Sequence, residues 1–503
     1  MPPKQLQRIS FLWVLFLYGM LWLLNLGTLP IAWVDEVLDL DPVMNRINGE
    51  GYRSMLWPYL GSDQIFMANL PFRNLPYWIP LSFIGPHIMA VRALHLIAWL
   101  GTFFFSYKVF CFWVRPQWAL VILVFFALDP GIASAMRAVR PETWVMLFFT
   151  GSLYFMLVKQ QYAASMWLAW LLFWTHPAAW PLSAIIVGAL FLKPGFWSSK
   201  QNRVNLIGMI VLSAPIIGLI LRHWEGFQDQ FLSAGSDHSS LQNRSIVTVF
   251  QDHFITRFAG YLGIHIYVLI AVWIAHAIAL YQVLQSIMKK ERLPIISVLL
   301  LAISLFWMGV LAPHSRYNAP LIWLCFAQIA VMIWHYRVRW HGITILGLYH
   351  SAYTLLLLIV ALLQYPARNP GAAQKWLHKS GVGGPHTLVC GESIAWYARQ
   401  SITPKSQQFD YCEPNYPHHF DFNQYQELYI LTYEQLDSLP LVSSYSPPPY
   451  PSWFRSLSSY LPQSTTYSGL KLYKAKPQDV TAYCLQKRNG DVWPQYHVSM
   501  PKL

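Results

Sequence analysis

Long apolar stretches, separated by short polar ones, fill most of the first 364 residues of the chain. A helix that spans the hydrocarbon core of a bilayer needs about 20 mostly apolar residues. Eleven candidate spans lie near residues 10–30, 86–113, 117–136, 142–158, 163–176, 178–193, 204–222, 261–288, 294–312, 318–336 and 342–364. The fifth and sixth are short and meet at His176 and Pro177, where one kinked helix is the alternative to two helices. The pattern predicts an all-α polytopic membrane domain, residues 1–364, with about eleven transmembrane helices.

The pattern changes in residues 365–503, where Pro, Ser, Tyr and Gln accumulate between short apolar stretches. Alternating hydrophobicity predicts strands at residues 387–391, 428–433 and 469–473, and residues 392–400 favour a helix. We therefore predict a small C-terminal α/β domain that follows the membrane domain.

The composition agrees with a membrane protein. Of the 503 residues, 55% are hydrophobic and only 11% are charged, and the formal net charge is +13. Soluble domains usually carry about 25% charged residues. A basic chain can indicate a nucleic-acid partner, but here the charges are few and lie between apolar stretches. They are better explained as topological anchors in a lipid bilayer, and we expect no nucleic-acid partner.

The basic residues also predict the orientation in the membrane. If the N-terminus is cytoplasmic, the inner side receives Lys108, Lys159, Lys193, Lys200, Lys289 and Lys290. This arrangement agrees with the positive-inside rule. Eleven spans then make the C-terminal α/β domain extracytoplasmic, and they leave two long outer loops, residues 31–85 and residues 223–260.

The five cysteines divide between the two domains. Cys111 and Cys325 lie inside predicted spans, where packing is their expected role. Cys390, Cys412 and Cys484 lie in the predicted outer domain, where an oxidising compartment would allow one disulfide. The sequence leaves the pairing open, and the spacing is not that of a zinc-binding motif.

An acidic pair, Asp35 and Glu36, directly follows the first predicted span. Two carboxylates at a membrane surface suit a general base or a cation ligand. The alternative is structural: Asp35 caps a juxtamembrane helix, and Glu36 is stabilised by the helix dipole.

Arginines on the predicted outer side form the second candidate feature. The segment SAMRAVRPETW contains Arg137 and Arg140, three residues apart, and APHSRYNAP contains His314 and Arg316. Arginine is suited to bidentate recognition of phosphate. The alternative is that these side chains reach for the membrane interface. Together with the acidic pair, they would suit a phosphate-bearing lipid whose tail stays in the bilayer.

The order of these features resembles the GT-C glycosyltransferases. The resemblance rests on the acidic pair after the first span, the R-x-x-R-P-E segment that opens the fourth span, and the R-Y-x-x-P turn late in the bundle. The most similar group contains the bacterial relatives of protein O-mannosyltransferases and of the lipid A aminoarabinose transferase. NLPYWIPLSFIG and VRALHLIAWLG are similar to the stretches that lead into and form that group's second span, and NPGAAQKWLHKSG is similar to the start of its outer domain.

The resemblance implies roles for individual residues. Asp35 would be the catalytic base, and Glu36 would orient the acceptor or hold a cation. The donor phosphate would be bound by Arg137, Arg140, Arg316 and His314. Further substrate contacts are expected for Glu142, Tyr77, Arg92, His176 and Tyr317. Residues 223–260 resemble the mobile loop that covers the active site in this family.

The implied reaction is transfer of a sugar from a polyprenyl-phosphate donor to a hydroxyl group of a lipid, glycan or protein, at the outer face of a bacterial inner membrane. One displacement would invert the anomeric configuration, with Asp35 as base. No cofactor is expected beyond a divalent cation, which could share the phosphate-binding role. Two alternatives remain open: a transporter or flippase of a lipid-linked sugar, and an O-antigen-type polymerase that uses a lipid-diphosphate donor.

Overall fold

A computed structural model describes residues 34–54, 56, 65–67, 70–85, 87–129, 132, 139–228, 230, 245, 247–248, 266–310, 319–336, 368–400, 408–412, 414, 421–447, 467 and 469–489. The first and last predicted spans, 10–30 and 342–364, lie outside these residues. The other nine predicted spans each coincide with a helix within the described residues. The mainly helical architecture is therefore confirmed, while the total of eleven spans remains a prediction.

The structure gives the bounds of eleven helices in the membrane part: two precede the first predicted span that is described, and each of the other nine coincides with a predicted span. In chain order they are α1 (Val34–Ile47), α2 (Pro71–Ile84), α3 (Ile88–Trp113), α4 (Pro116–Ala127), α5 (Pro141–Leu153), α6 (Tyr162–Phe173), α7 (Trp180–Phe191), α8 (Lys200–Arg222), α9 (Ile266–Met288), α10 (Ile295–Val310) and α11 (Ala319–Tyr336). A π-helical turn, Tyr154–Val158, extends α5, and a single turn, Trp224–Phe227, follows α8. By length and composition, α3, the extended α5 and α8 can each cross a membrane.

The chain forms two helices, and not one kinked helix, around His176. A short 3₁₀ turn, Pro177–Ala179, separates α6 from α7, and the His176 side chain accepts a hydrogen bond from the Ala178 amide at 3.2 Å. Ser183 of α7 donates a hydrogen bond to the Ala169 carbonyl of α6 at 2.7 Å. The two helices therefore fold back on one another, as two short helices with a tight connection do.

Aromatic and small residues pack the centre of the bundle. Trp99, Phe126 and Trp323 are fully buried in one continuous apolar core that joins α3, α4, α5 and α11. The Trp323 indole N–H donates to the Ser106 hydroxyl at 2.8 Å, so this polar group is satisfied inside the core. Helices α3 and α5 approach closely at Gly151, where a Cβ atom would lie only 3.1 Å from the Phe105 ring.

The C-terminal part contains a five-stranded sheet with the order β2-β1-β3-β5-β4. Its elements are α12 (Pro370–Lys379), β1 (Thr387–Gly391), α13 (Ile394–Gln400), β2 (Asp410–Cys412), β3 (Glu427–Thr432), β4 (Leu441–Ser444), β5 (Lys471–Ala475) and α14 (Pro477–Asn489), with a 3₁₀ turn at Phe422–Gln424. Strand β1 pairs in parallel with β2 and β3, whereas β5 is antiparallel to β3 and β4. The predicted strand at 387–391 is confirmed, and the last one begins two residues later than predicted.

Each face of the sheet has its own apolar core. Side chains alternate between the two faces of a strand, so Leu388 and Cys390 face α14 while Val389 faces the opposite way. The face with Val389 packs with α13 into a core that also includes residues of α1, α2 and α3. The C-terminal part and the membrane part therefore share one apolar core, and α1 lies at their junction.

Candidate active site

Helix α1 carries the predicted acidic pair. Asp35 lies in the part of α1 that the structure describes, but its side chain lies outside the description, as do the residues before Val34. The capping alternative for Asp35 therefore remains untested. The next acidic side chains, Glu36, Asp39 and Asp41, are at most 2% exposed. A buried carboxylate is costly unless it is paired or hydrogen-bonded, so their partners define the local structure.

Glu36 forms a bidentate ion pair with Arg92 of α3. The Arg92 Nε and Nη2 atoms lie 2.9 and 2.8 Å from the two carboxylate oxygens, and both side chains are fully buried. The Val139 amide also donates to Glu36 Oε1 at 3.0 Å. Glu36 thus joins the start of α1 to α3 and to the segment that leads into α5. Arg92, predicted as a substrate contact, has this carboxylate as its partner.

Asp39 and Asp41 attach α1 to two other parts of the molecule. Arg73 of α2 lies 2.7 Å from Asp39 Oδ1. Asp41 accepts hydrogen bonds from the Ser54 hydroxyl at 2.8 Å and from the Trp396 indole of α13 at 2.9 Å. Burial raises the pKa of the Asp41 carboxyl above its ordinary value, and the positive charge of Arg399 opposes this shift.

A hydrogen-bonded chain connects α2, α3 and α5 beside the Glu36–Arg92 pair. The Tyr77 hydroxyl contacts His95 Nε2, and the other nitrogen of that ring lies 2.7 Å from the Thr143 hydroxyl. Trp144 donates to the Tyr77 hydroxyl at 3.0 Å. Burial raises the pKa of Tyr77 well above its ordinary value. Tyr77, predicted as a substrate contact, is 1% exposed and holds α2 against the bundle.

Arg140, predicted to bind the donor phosphate, and Glu142, predicted as a further substrate contact, pair with each other. The Arg140 Nε and Nη2 atoms each lie 3.0 Å from a Glu142 carboxylate oxygen. Both residues are buried, with 3% and 4% of their surface exposed. Pro141 is the first residue of α5 and Glu142 lies in its first turn, where the helix dipole favours a carboxylate.

An open cleft lies at the start of α5. It is small, with a cavity volume of about 10 Å³, and its lining residues are Pro141, Glu142, Val145, His176, Ala178, Ala179, Trp307 and Pro320. Two predicted site residues, Glu142 and His176, thus line one cleft. Pro320 is the last residue of the APHSRYNAP segment. Residues of SAMRAVRPETW and APHSRYNAP, two segments that are far apart in the sequence, therefore line the same cleft.

Four predicted site residues, Arg137, His314, Arg316 and Tyr317, lie outside the described residues. Their neighbours in the chain are described. Val139 contacts Glu36, and Pro320 lines the cleft. The described flanks of both arginine-containing segments are thus attached to the same region of the bundle.

The acidic side chains near the cleft already have protein partners. Glu36 is paired with Arg92, and Glu142 is paired with Arg140. Within the part of the chain that the structure describes, only three cysteines of the C-terminal part bring three potential metal ligands together. The described carboxylates of this region therefore form no cage for a divalent cation.

Several residues of this region were not predicted from the sequence. Asp39, Arg73, His95 and Thr143 enter it only through tertiary contacts. Gln230, in the predicted second outer loop, accepts from the Met67 amide at 2.6 Å and donates to the Ile65 carbonyl at 3.0 Å. It thereby binds the first outer loop. A signal was available for two of them, because His95 falls within VRALHLIAWLG and Thr143 falls within SAMRAVRPETW.

Comparison with known proteins reveals a similar fold. No family model and no curated protein sequence matches the chain. The crystal structure of ArnT from Cupriavidus metallidurans in the apo state is 12% identical, with a TM-score of 0.52 over 94% of this chain and 98% of that one. The structure of the same protein bound to undecaprenyl phosphate is 11% identical, with a TM-score of 0.52 over 93% and 97%. ArnT has the GT-C fold. The chain has the GT-C fold.

The similarity extends over almost the whole of both chains, so the GT-C fold takes in both the helical bundle and the C-terminal sheet. The resemblance inferred from short motifs is therefore confirmed at the level of the fold. In this GT-C fold, α1 and the start of α5 lie side by side through the contact between Glu36 and Val139.

Proposed function

We propose that this protein is a membrane glycosyltransferase that transfers a sugar from a polyprenyl-phosphate donor to a hydroxyl group of a lipid, glycan or protein. The observation that carries the proposal is the cleft lined by Glu142, His176 and Pro320. It lies where the described flanks of the two arginine-containing segments meet. The fold supports the proposal, and ArnT with this fold has been solved with undecaprenyl phosphate bound.

Asp35 is the proposed base. It precedes Glu36, whose carboxylate is held by Arg92 and by the Val139 amide. Val139 is three residues before Glu142, which lines the cleft. This short path of contacts supports a position of Asp35 close to the proposed donor site. Asp35 would take the proton of the acceptor hydroxyl as its oxygen attacks the anomeric carbon.

The leaving group is the polyprenyl phosphate. As the new carbon–oxygen bond forms, the bond between the anomeric carbon and the phosphate oxygen breaks, and one displacement inverts the configuration. Arg137, Arg316 and His314 are the proposed donors to the phosphate, because positive groups aimed at a developing charge stabilise the transition state. Arg140, which is buried and bidentate with Glu142, is assigned to positioning Glu142 at the cleft.

Glu36 is a positioning residue in this proposal. Both of its carboxylate oxygens accept hydrogen bonds from protein groups. A cation at this carboxylate would have to displace Arg92, which is fully buried and bidentate. We therefore assign Glu36 to holding α1 in register with α3, and Arg92 to the same task.

The test is a transfer assay with the full chain in lipid nanodiscs. The protein would be incubated with a panel of labelled polyprenyl-phosphate sugars and polyprenyl-diphosphate sugars and a membrane extract, and the labelled product would be identified. A general base contributes about 10²–10⁴-fold to a rate. We expect Asp35→Asn to lose transfer by this factor while it still binds the donor. Asp437→Asn, a change at an exposed turn of the C-terminal part, should transfer normally.

Three outcomes decide between the functions. Transfer by the wild type and loss in Asp35→Asn support the proposal. Donor binding or translocation without any transfer would instead indicate a transporter. Transfer only from lipid-diphosphate donors would indicate a polymerase. Near-normal transfer by Asp35→Asn would remove the base assignment, because asparagine caps a helix about as well as aspartate does.

A further inference from the structure

Three cysteines that are far apart in the sequence meet inside the C-terminal part. Cys390 lies in β1, Cys412 in β2 and Cys484 in α14. Their sulfur atoms all lie within 4.8 Å of one another. Each residue is at most 1% exposed. The proposed glycosyl transfer uses none of them.

The backbone of the fold determines this convergence. Cys390 and Cys412 are directly paired on neighbouring parallel strands, so their side chains emerge on the same face of the sheet. Helix α14 covers that face through Val480, Tyr483 and Cys484. The three sulfur atoms are therefore brought together by three separate elements, and not by a local loop.

We infer that Cys390, Cys412 and Cys484 bind one zinc ion through their three sulfur atoms. Thiolates are soft ligands that select zinc, copper(I) and iron–sulfur clusters. A zinc–sulfur bond of about 2.3 Å places the sulfur atoms of one site roughly 3.8–4.0 Å apart. Sulfur atoms that already lie within 4.8 Å reach this spacing with shifts below about 1 Å.

Charge favours zinc over copper(I). Three thiolates with Zn²⁺ carry a net charge of −1, whereas with Cu⁺ they carry −2. The surrounding side chains include Leu388, Leu428, Ile430 and Val480. A net charge in such apolar surroundings is costly, so the smaller charge is preferred. Three protein ligands leave the fourth position of the usual zinc tetrahedron to a small donor such as water.

Two other roles compete with a metal site. Buried cysteines often serve only as small apolar packing residues. Alternatively, two of the three could form a disulfide, since each pair is close enough for a modest rearrangement. A disulfide would use two sulfur atoms and leave the third as a thiol. The zinc site is the arrangement that uses all three.

The experiment uses the full chain in detergent, reduced and freed of metal, and titrated with Zn²⁺ alone against a competing chelator. We expect wild type to bind one equivalent and Cys484→Ser to bind at least about 100-fold more weakly, since loss of even an outer-shell partner costs 10–100-fold. Cys325→Ser, at a buried cysteine of the helical bundle, should bind as wild type does. Co²⁺ in place of zinc should give a sulfur-to-metal charge-transfer band that is lost only in Cys484→Ser.

A second measurement on the wild type guards against a variant that fails to fold. Zn²⁺ should slow alkylation of Cys390, Cys412 and Cys484 together, as followed by mass spectrometry of their peptides, and should leave Cys111 unchanged. Three outcomes would each overturn the inference. They are no zinc binding by the reduced wild type, equal zinc binding by Cys484→Ser, and a disulfide that persists at equilibrium in the presence of zinc. These readouts are independent of sugar transfer, so the proposed function stands or fails separately.

Discussion

At the scale of single residues, buried ion pairs are the dominant feature of the candidate active site. Glu36 with Arg92 and Arg140 with Glu142 are bidentate pairs in which both partners are at most 4% exposed. Charged side chains of this kind persist in an apolar interior because each satisfies the other. Removal of one partner leaves a buried charge, whereas removal of both does not.

We expect Arg92→Met to lower the free energy of unfolding by about 3–5 kcal/mol, because the buried Glu36 carboxylate loses its ion-pair partner. The double variant Glu36→Gln with Arg92→Met should recover a large part of this loss. Denaturant titration in detergent would measure both. Arg222→Met, at an exposed end of α8, is the control. Additive losses in the double variant would show that the pair is not the source of the effect.

Glu392 makes the stability of the C-terminal part depend on pH. Burial raises its pKa from 4.5 to about 7, and the nearby Lys487 charge opposes the shift. The pKa of Glu392 is higher in the folded protein than in the unfolded one. Its contribution to the free energy of unfolding is therefore fully present below pH 4.5 and is lost as the pH rises to 7. The slope is at most about 1.4 kcal/mol per pH unit.

We therefore expect Glu392 to contribute less to the free energy of unfolding of the wild type at pH 8 than at pH 5. Glu392→Gln removes the titration, so its difference from the wild type should change between these two pH values. Chemical denaturation of the full chain at both values would measure the change. A difference that is independent of pH would contradict the shifted pKa of Glu392.

At the scale of elements, α1 is the junction between the bundle and the C-terminal part. Its apolar residues Val37 and Leu40 are buried in the core that includes Trp396 and Tyr397 of α13. The Trp396 indole donates to Asp41 at 2.9 Å. Helix α1, which carries Asp35, thus packs against both the bundle and α13. The position of the proposed base therefore depends on the docking of α13.

Trp396→Phe tests this link. The change keeps most of the ring but removes the N–H that binds Asp41, and a lost hydrogen bond to a charged group costs about 1.5–3 kcal/mol. We expect lower resistance to proteolysis between the two parts, together with reduced sugar transfer. Trp376→Phe is the matched control, because the Trp376 indole binds Ser443 within the C-terminal part. Equal effects of both variants would indicate general destabilisation and no role for docking.

At the scale of the whole molecule, the orientation in the membrane remains a prediction from charge. The inner side should contain Lys290, which follows α9, and the C-terminal sheet should be extracytoplasmic. Alkaline phosphatase and fluorescent-protein fusions after Lys290 and after Leu503 should therefore give opposite signals. Equal signals would mean an even number of crossings between these points, which the eleven-span arrangement does not allow.

The sequence by itself determined the positions of the helices and the fold class of the protein. Apolar stretches are local, and in a bilayer a long apolar stretch must satisfy its backbone as a helix. The nine predicted spans that the structure describes accordingly coincide with helices. Strand β1 was also predicted because alternation is a local property. The start of the fourth span was readable for the same reason, because the R-x-x-R-P-E segment was predicted to open it and α5 begins at Pro141.

Tertiary structure alone decided which distant side chains meet. Glu36 and Arg92 are 56 positions apart, and Asp41 and Trp396 are 355 apart. A buried charge needs a partner, but residue type does not specify which one, because the packing of the helices makes that choice. The three cysteines show the same principle: their spacing matches no metal motif, and only the register of β1 with β2 and the docking of α14 bring their sulfur atoms together.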